Sequence, residues 1–438
     1  MPSALTLEQL SPELRRVAER ARREPEGRFN SLAHLIDEKA LARAYHRLRK
    51  NAAVGVDGVT VEQYGQDLER RLQDLHERLK VKQYRHQPIR RVHIPKGNGK
   101  SRLIGISTTE DKIVQGALRE VLEAVYEQDF SDCSYGFRPG RSAHDAVRAL
   151  KESMGYGRTS WILEADIVSF FDSVIRTQLV EMLQARVPDG SLLRLVGKCL
   201  RVGVLDGEEY SEPEEGTTQG SVLSPLLGNI YLHHVVDCWF EREVRPRLAG
   251  EAHLIRYADD LVIAFQRGDD AERVMAVLGK RMQRYGLTLH PEKTRLVFVG
   301  CPLSGHNGKG PATFDFLGFT WYWRKTRTGY WSVFCKTRTG RLTRAIKAAY
   351  DFCRRHRHEP IKAQHVGLCR RLRGHFNYFG VSGNYRSLHR LRERVRAVWF
   401  KWLRRRSDRH RLTWERFCDL LRDFPLPPVR IVVPIWTS

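Results

Sequence analysis

Apolar residues recur at three- and four-residue spacing through most of the first eighty positions, a period that predicts helices over 5–23, 32–50 and 61–79. Gly55-Val56-Asp57-Gly58 marks a turn between the second and third. The pattern then changes. Extended stretches at 90–94 and 103–106 enclose Pro95-Lys96-Gly97-Asn98-Gly99-Lys100, so a hairpin with a basic, glycine-rich tip is expected. Ser107 and Glu110 have capping-box spacing. Behind them Ile113, Val114, Ala117, Leu118, Val121, Leu122, Val125 and Tyr126 fall on one helical stripe, the best-formed helix signal in the chain.

From Ser160 onward, short apolar strands closed by acids or turn residues alternate with helical segments at 179–186, 192–200, 226–244 and 271–285. Strand-like alternation returns at 287–290, and a hairpin is expected where 314–323 and 330–334 flank Thr326-Arg327-Thr328-Gly329. Beyond Lys336 the chain reads as helical, with Leu388, Leu391, Val395, Trp399 and Trp402 on one stripe and arginines on the other faces. The mixture is that of an α+β fold. With 438 residues, 41% of them hydrophobic, the chain can fill sizeable cores. No apolar run approaches the roughly 18 residues that a membrane span requires. The N-terminus alternates apolar and charged residues, unlike a secretory signal, and the eight cysteines stand singly. A cytoplasmic protein with free thiols is expected.

Charge narrows the class further. The chain carries 75 Lys+Arg against 51 Asp+Glu, and 29 of those cations against 7 of those acids lie between Arg324 and Ser438. Arg404, Arg405 and Arg406 are interleaved with Trp399, Trp402 and Trp414. Cations beside stacking rings suit a phosphate backbone with accessible bases. A solvated basic face is the plainer reading of a short charge run, but an imbalance across a whole quarter of the chain favours a polyanionic partner.

The sharpest chemical signal is His253 to Phe265, HLIRYADDLVIAF, in which two apolar strands flank Tyr257-Ala258-Asp259-Asp260. Two adjacent acids at a turn are by themselves compatible with a simple Asx turn. A second element tips the balance: 161–166 is an apolar strand that also ends in an acid, Asp166. If the strands are neighbours, Asp166 and Asp259 lie side by side in an oxygen-rich pocket. Such a cluster repels itself unless a hard cation neutralises it, and carboxylate oxygens suit Mg²⁺. Two such ions could activate an attacking hydroxyl and stabilise a leaving pyrophosphate, so the spacing proposes nucleotidyl transfer.

In order, D-x-x-x-F-F-D from Asp166, Q-G-S-V-L-S-P-L-L-G-N from Gln219 and Y-A-D-D from Tyr257 resemble the palm of a reverse transcriptase. More narrowly, with IPKGNGKSRLIGI, YGFRPGRSAHDAV, GLTLHPEKT, FDFLGF and LRGHFNYFGVSGN, the chain resembles a bacterial group II intron-encoded reverse transcriptase and maturase. The resemblance implies a right-hand polymerase: N-terminal extension and fingers over 1–155, palm over 156–335, and a basic helical thumb, domain X, over 336–438. It implies Asp166, Asp259 and Asp260 as the triad holding two Mg²⁺ ions, assisted by the Ile167 carbonyl. Phe171 matches the steric gate against a ribose 2′-hydroxyl. Lys96 and Arg102 match the pair used on the incoming triphosphate, with Lys100 a weaker candidate. Gln219 and Gly220 match the motif lining the nucleotide site, and Lys293 fits a role beside it or a place on the surface. Arg138 and Arg141 contact template or pair with local acids. Arg404, Arg405 and Arg406 belong to the nucleic-acid-gripping thumb.

The implied partners are group II intron RNA, an RNA template with DNA primer or target DNA, and dNTPs, with no membrane and a cytoplasmic or nucleoid location in a bacterium. The paired Cys and His ligands of an endonuclease module do not occur, so target-strand cleavage is not expected. Two further readings stay open: a splicing maturase that binds RNA without polymerising, and a reverse transcriptase serving a host process such as phage defence.

Overall fold

A computed structural model describes residues 9–95, 101–155, 158–207, 209–212, 215–217, 219–301, 312–326, 328–406 and 412–435. Four helices open the chain: α1 (Pro12–Arg23), α2 (Glu38–His46), α3 (Val61–Gly65) and α4 (Leu68–Lys80). The single helix expected over 61–79 is two, because Gly65, a poor helix former, ends a short capped turn and Asp67 leaves helical geometry. Strands β1 (Ile89–Pro95) and β2 (Ser101–Ile106) form the expected hairpin. Helix α5 (Thr109–Asp129) follows, with its eight-residue apolar stripe entirely buried. Its cap lies one residue beyond the expected Ser107: the Thr108 hydroxyl accepts from Asp111 N at 3.1 Å, while Ser107 is taken by Gln115 and Glu110 pairs with Arg78.

Helix α6 (Ala143–Met154), strand β3 (Trp161–Asp166), and helices α7 (Phe170–Ser173), α8 (Arg176–Arg186) and α9 (Gly190–Leu200) come next. The short strands β4 (Val204–Asp206) and β5 (Glu209–Ser211) lead to helix α10 (Ser224–Leu232). The helical path beyond α10 widens into π geometry over His233–Asp237 and again over Phe240–Val244. Then come β6 (Ala252–Tyr257), β7 (Asp260–Phe265), α11 (Gly268–Arg284), β8 (Arg295–Phe298), β9 (Phe314–Phe316), β10 (Phe319–Lys325) and β11 (Trp331–Thr337). Four helices close the chain: α12 (Thr339–Arg355), α13 (Ile361–Phe379), α14 (Tyr385–Leu403) and α15 (Trp414–Asp423).

The architecture is α+β, with three sheets among the described residues. A central antiparallel sheet runs β6-β7-β3-β8, an outer sheet runs β2-β1-β4-β5, and β11-β10-β9 form a third. The central sheet separates two cores. Leu163, Ala165, Leu254, Leu261 and Ile263 face the core built by the N-terminal helices, α5 and α10. Alternate residues Ile162, Ile255, Val262 and Ala264 face a second core shared with α6, the third sheet and the C-terminal helices. Burial on both faces fixes the strand register, since a one-residue slip would exchange the two apolar sets. No helix among the described residues is long and apolar enough to cross a membrane.

Candidate active site

The three candidate carboxylates gather at one end of the central sheet. Asp166 closes β3, Asp260 opens β7, and the two are directly opposed in the antiparallel register. The sequence placed Asp259 beside Asp166; the register gives that position to Asp260, with Asp259 in the two-residue loop between Tyr257 and Asp260. Ala258, the first residue of that loop, has φ +58°, the sign a tight hairpin turn requires. Burial, then the charges of Asp259 and Asp166, push the Asp260 carboxyl up to about 7. Asp259 is raised by burial and by Asp166, against the opposing pull of Arg102 and Arg256. Lys293 donates to Asp166 and forms an ion pair with it, so this exposed lysine belongs to the site.

No group of three or more His, Cys, Asp or Glu side chains among the described residues has the geometry of a formed metal centre. The donor chemistry nevertheless fits a hard divalent cation: carboxylates lifted by burial and by their mutual repulsion are stabilised by a shared positive charge. The backbone adds to this. Val168 N bonds Thr288 O and His290 N bonds Asp166 O, both at 2.8 Å, around an Ile167–Leu289 bridge. In that pattern the flanking residues make the hydrogen bonds, so the Ile167 carbonyl points away from 288–290, toward the side of the Asp259 loop.

A second group of expected residues converges nearby. Phe171 is half-buried on α7, its ring 5.1 Å from that of Phe170, and its carbonyl accepts from Thr217 N at 2.6 Å. Gln219 O accepts from Gly105 N of β2 at 2.7 Å. Gly220, at φ +112°, lies so close to β2 that a Cβ would stand 2.4 Å from Gly105 O, so glycine is required here by the protein's own backbone. Arg102 is exposed on β2. Lys96 and Lys100 lie outside the described residues.

Residues 94–321, just over half of the chain, match the family model described as reverse transcriptase (RNA-dependent DNA polymerase). The chain belongs to the reverse transcriptase family. It is 36% identical over 215 residues to group II intron-encoded protein LtrA of Lactococcus lactis subsp. cremoris, covering 48% of this chain and 36% of that protein. To protein YkfC of Escherichia coli it is 35% identical over 250 residues, 56% of this chain and 65% of that one. To nuclear intron maturase 4, mitochondrial, of Arabidopsis thaliana it is 32% identical over 140 residues, 32% of this chain and 17% of that one. The chain thus matches about a third of LtrA's length and somewhat under two thirds of YkfC's. Reverse transcriptases as a family generally use divalent metals, in keeping with the donor set described above.

Several cations expected on nucleic acid are committed inside this reverse transcriptase fold. Arg138 is buried, forked onto Glu127 and donating to the carbonyls of Ser131 and Ser134, so the alternative of local acids holds. Arg141 pairs with Asp132 and lies over Tyr135. Arg406 donates to the carbonyls of His358 and Glu359, whereas Arg404 and Arg405 are exposed over Phe400 and Trp402. Trp399 and Trp402 are buried in the second core and present no face to a base; Trp414 is 42% exposed, with Arg396 over its ring.

The residue that pattern reading passed over is Arg256. It is fully buried two positions before Ala258, and all five of its N–H donors are used. They reach Asp237 at 2.7 and 2.5 Å, Asn229 at 3.0 Å, the Ala258 carbonyl at 3.1 Å and Ser134 at 2.7 Å. Asn229 in turn donates to Gly136 O, and a Cβ on Gly136 would stand 2.4 Å from Ala258 N. The helix explains how two partners meet one guanidinium. Eight residues of regular α-helix leave Asn229 and Asp237 about 80° apart, and one extra residue in the π turn brings them within roughly 20°. A charge between apolar neighbours in HLIRYADD was the available signal. On the other flank the Leu317 N–H bonds Asp260, and Tyr378 of α13 donates to Leu317 O at 3.0 Å.

Proposed function

We propose that the chain is an RNA-directed DNA polymerase that extends a primer 3′-hydroxyl on an RNA template. The observation that carries this is the opposed Asp166–Asp260 pair with Asp259 in the adjoining loop, in a chain of the reverse transcriptase family. Two Mg²⁺ ions, held by Asp166, Asp259, Asp260 and the Ile167 carbonyl, would supply activation of the primer hydroxyl and charge neutralisation for the leaving pyrophosphate. Lys293 balances Asp166 in their place. Arg102, with Lys96, pairs with the triphosphate of the dNTP. Gln219 and Gly220 line the nucleotide site, and the Phe171 ring takes the place a ribose 2′-hydroxyl would need. Residues 1–155 act as extension and fingers, 156–335 as palm and 336–438 as thumb, where Arg404 and Arg405 are exposed, make no ion pair among the described residues and meet the phosphate backbone.

Primer extension by the purified chain with RNA template, dNTPs and Mg²⁺ tests the reading. Asp259→Asn with Asp260→Asn should lower cDNA synthesis by about 1000-fold or more, with RNA binding kept within a small factor. Equal synthesis by that variant removes the triad assignment. Binding of group II intron RNA and support of its splicing is a second activity of the same chain, favoured by the basic C-terminal quarter and by relatives named for introns and maturases. It needs no carboxylate, so the double variant should still promote splicing if the chain is a maturase.

A further inference from the structure

The N-terminal helices and α9 enclose a second cavity that shares no residue with the carboxylate site. Its volume is about 440 Å³, within the range of small-ligand pockets. Ile36, Leu79, Leu192 and Leu195 make an apolar floor, and Lys80, Lys82, Arg194 and Lys198 stand around it. The cations are poorly balanced. Asp37, the lining acid, is engaged as the cap of α2, accepting from Ala40 N at 2.7 Å, while Lys80 pairs with Glu77. Lys198 is spent on the carbonyls of Lys82 and Tyr84. Lys82 and Arg194 are exposed and make no ion pair among the described residues. Burial and the charges of Arg194 and Arg85 lower the Lys198 pKa, which agrees with a crowd of cations lacking an anion.

Two details make this more than a basic patch. Lys82, at φ +62°, is the left-handed residue that terminates α4, its N–H bonding Leu79 O and the Gln83 N–H bonding Arg78 O, so its position at the mouth is fixed by the helix end. On the pocket wall, buried His76 Nδ1 makes no hydrogen bond among the described residues, its nearest anionic neighbour being a Glu38 oxygen at 3.5 Å, in ion-pair range when the ring is protonated. An apolar floor, a polar edge on the wall and unpaired cations at the mouth match the three parts of a nucleotide: ring face, ring edge and phosphate.

We propose that this pocket binds one nucleotide, its base on the Leu79–Leu192 floor and its phosphate between Lys82 and Arg194. The ligand class rests on the reading of the chain as a nucleic-acid enzyme, but the pocket does not depend on the carboxylate site. The test is calorimetric titration of the full chain with AMP, inorganic phosphate and a short single-stranded RNA, alongside primer extension. Two variants localise the binding: Lys82→Glu with Arg194→Glu removes the phosphate partners, and Ala33→Trp fills the pocket while leaving its charges. AMP should bind saturably, inorganic phosphate about tenfold more weakly, and each variant should weaken AMP by about tenfold or more. RNA that competes with AMP identifies a nucleotide within a strand as the occupant, and AMP binding without competition identifies a free nucleotide; both keep the pocket. RNA binding lost in the charge variant, with no AMP binding and no effect of Ala33→Trp, overturns it in favour of a plain electrostatic surface. AMP binding unchanged in both variants also overturns it. Primer extension without AMP binding sinks the pocket and leaves the polymerase; AMP binding without extension does the reverse.

Discussion

The central and outer sheets each contribute to the candidate active site, yet they are built on opposite principles. In the central sheet, β7 is buried from Leu261 to Phe265 and β3 is covered on both faces. In the outer sheet, β1 is exposed over His93, Ile94 and Pro95, and β2 over Ser101, Arg102 and Leu103. Carboxylates that repel one another need a mount that cannot yield, and a sheet clamped between two cores supplies it. A cation proposed to pair with a dNTP triphosphate needs solvent and reach, which a half-exposed hairpin supplies. Changes in the central sheet should therefore cost stability and synthesis together, and changes in the outer sheet should alter substrate use alone.

The largest effect expected on that contrast is at Arg256. Arg256→Met leaves the buried Asp237 with only His233, 3.8 Å away, as a cationic neighbour, so a loss of about 3–5 kcal/mol is expected in denaturant melts, with cDNA synthesis falling as well. A variant of wild-type stability would mean that the buried network does not hold the sheet end. Next is Phe171→Ala, which should raise ribonucleotide incorporation by roughly 10–100-fold, on the scale of about 1–3 kcal/mol for a pocket contact, with little change in melting temperature. Arg102→Ala sharpens the other side: KM for dNTP should rise about tenfold, the value of one charge-assisted contact, while stability stays put. Coupled loss of stability there would erase the distinction between the sheets.

The smallest effect is one of pH. The Asp260 carboxyl, ordinarily near 3.8, is pushed up to about 7 in the folded chain. Between those values the folded state holds a proton that the unfolded state releases, so metal-free stability should fall as pH rises from about 4 through 7 and then level off. Asp260→Asn should flatten that slope, and Mg²⁺ should raise the melting temperature more at pH 8 than at pH 5.5. An identical slope in the variant would assign the pH dependence to other groups.

Much of this was legible from local pattern. The stripe of α5 predicted a buried helix because eight apolar side chains at helical period have no other stable place. The strands around Asp259 and Asp260 were equally clear. Register was not: whether Asp166 faces Asp259 or Asp260 depends on hydrogen bonds between segments nearly a hundred residues apart. Composition also misled at Trp399 and Trp402, because a tryptophan beside arginines reads alike whether its ring meets a base or fills a core. Arg138 and Arg256 are cations whose partners, Glu127 and Asp237, are distant enough in sequence to look unrelated. Long-range pairing decides which charges are spent inside a protein, and a single sequence does not display it.

The widened turn at His233–Asp237 carries a consequence for how this chain can change length. An insertion or deletion in a surface loop shifts nothing beyond the loop, whereas here the π turn absorbs one residue: deleting it and returning to ordinary pitch would leave Asp237 within roughly 20° of Asn229, but ordinary pitch with all eight residues kept would swing Asp237 about 100° around the axis. Arg256 would then keep Asn229 and lose its carboxylate. The facing of those two residues is thus set by residue count and helix pitch together, and a one-residue change between them keeps the pair only if the widened turn changes with it.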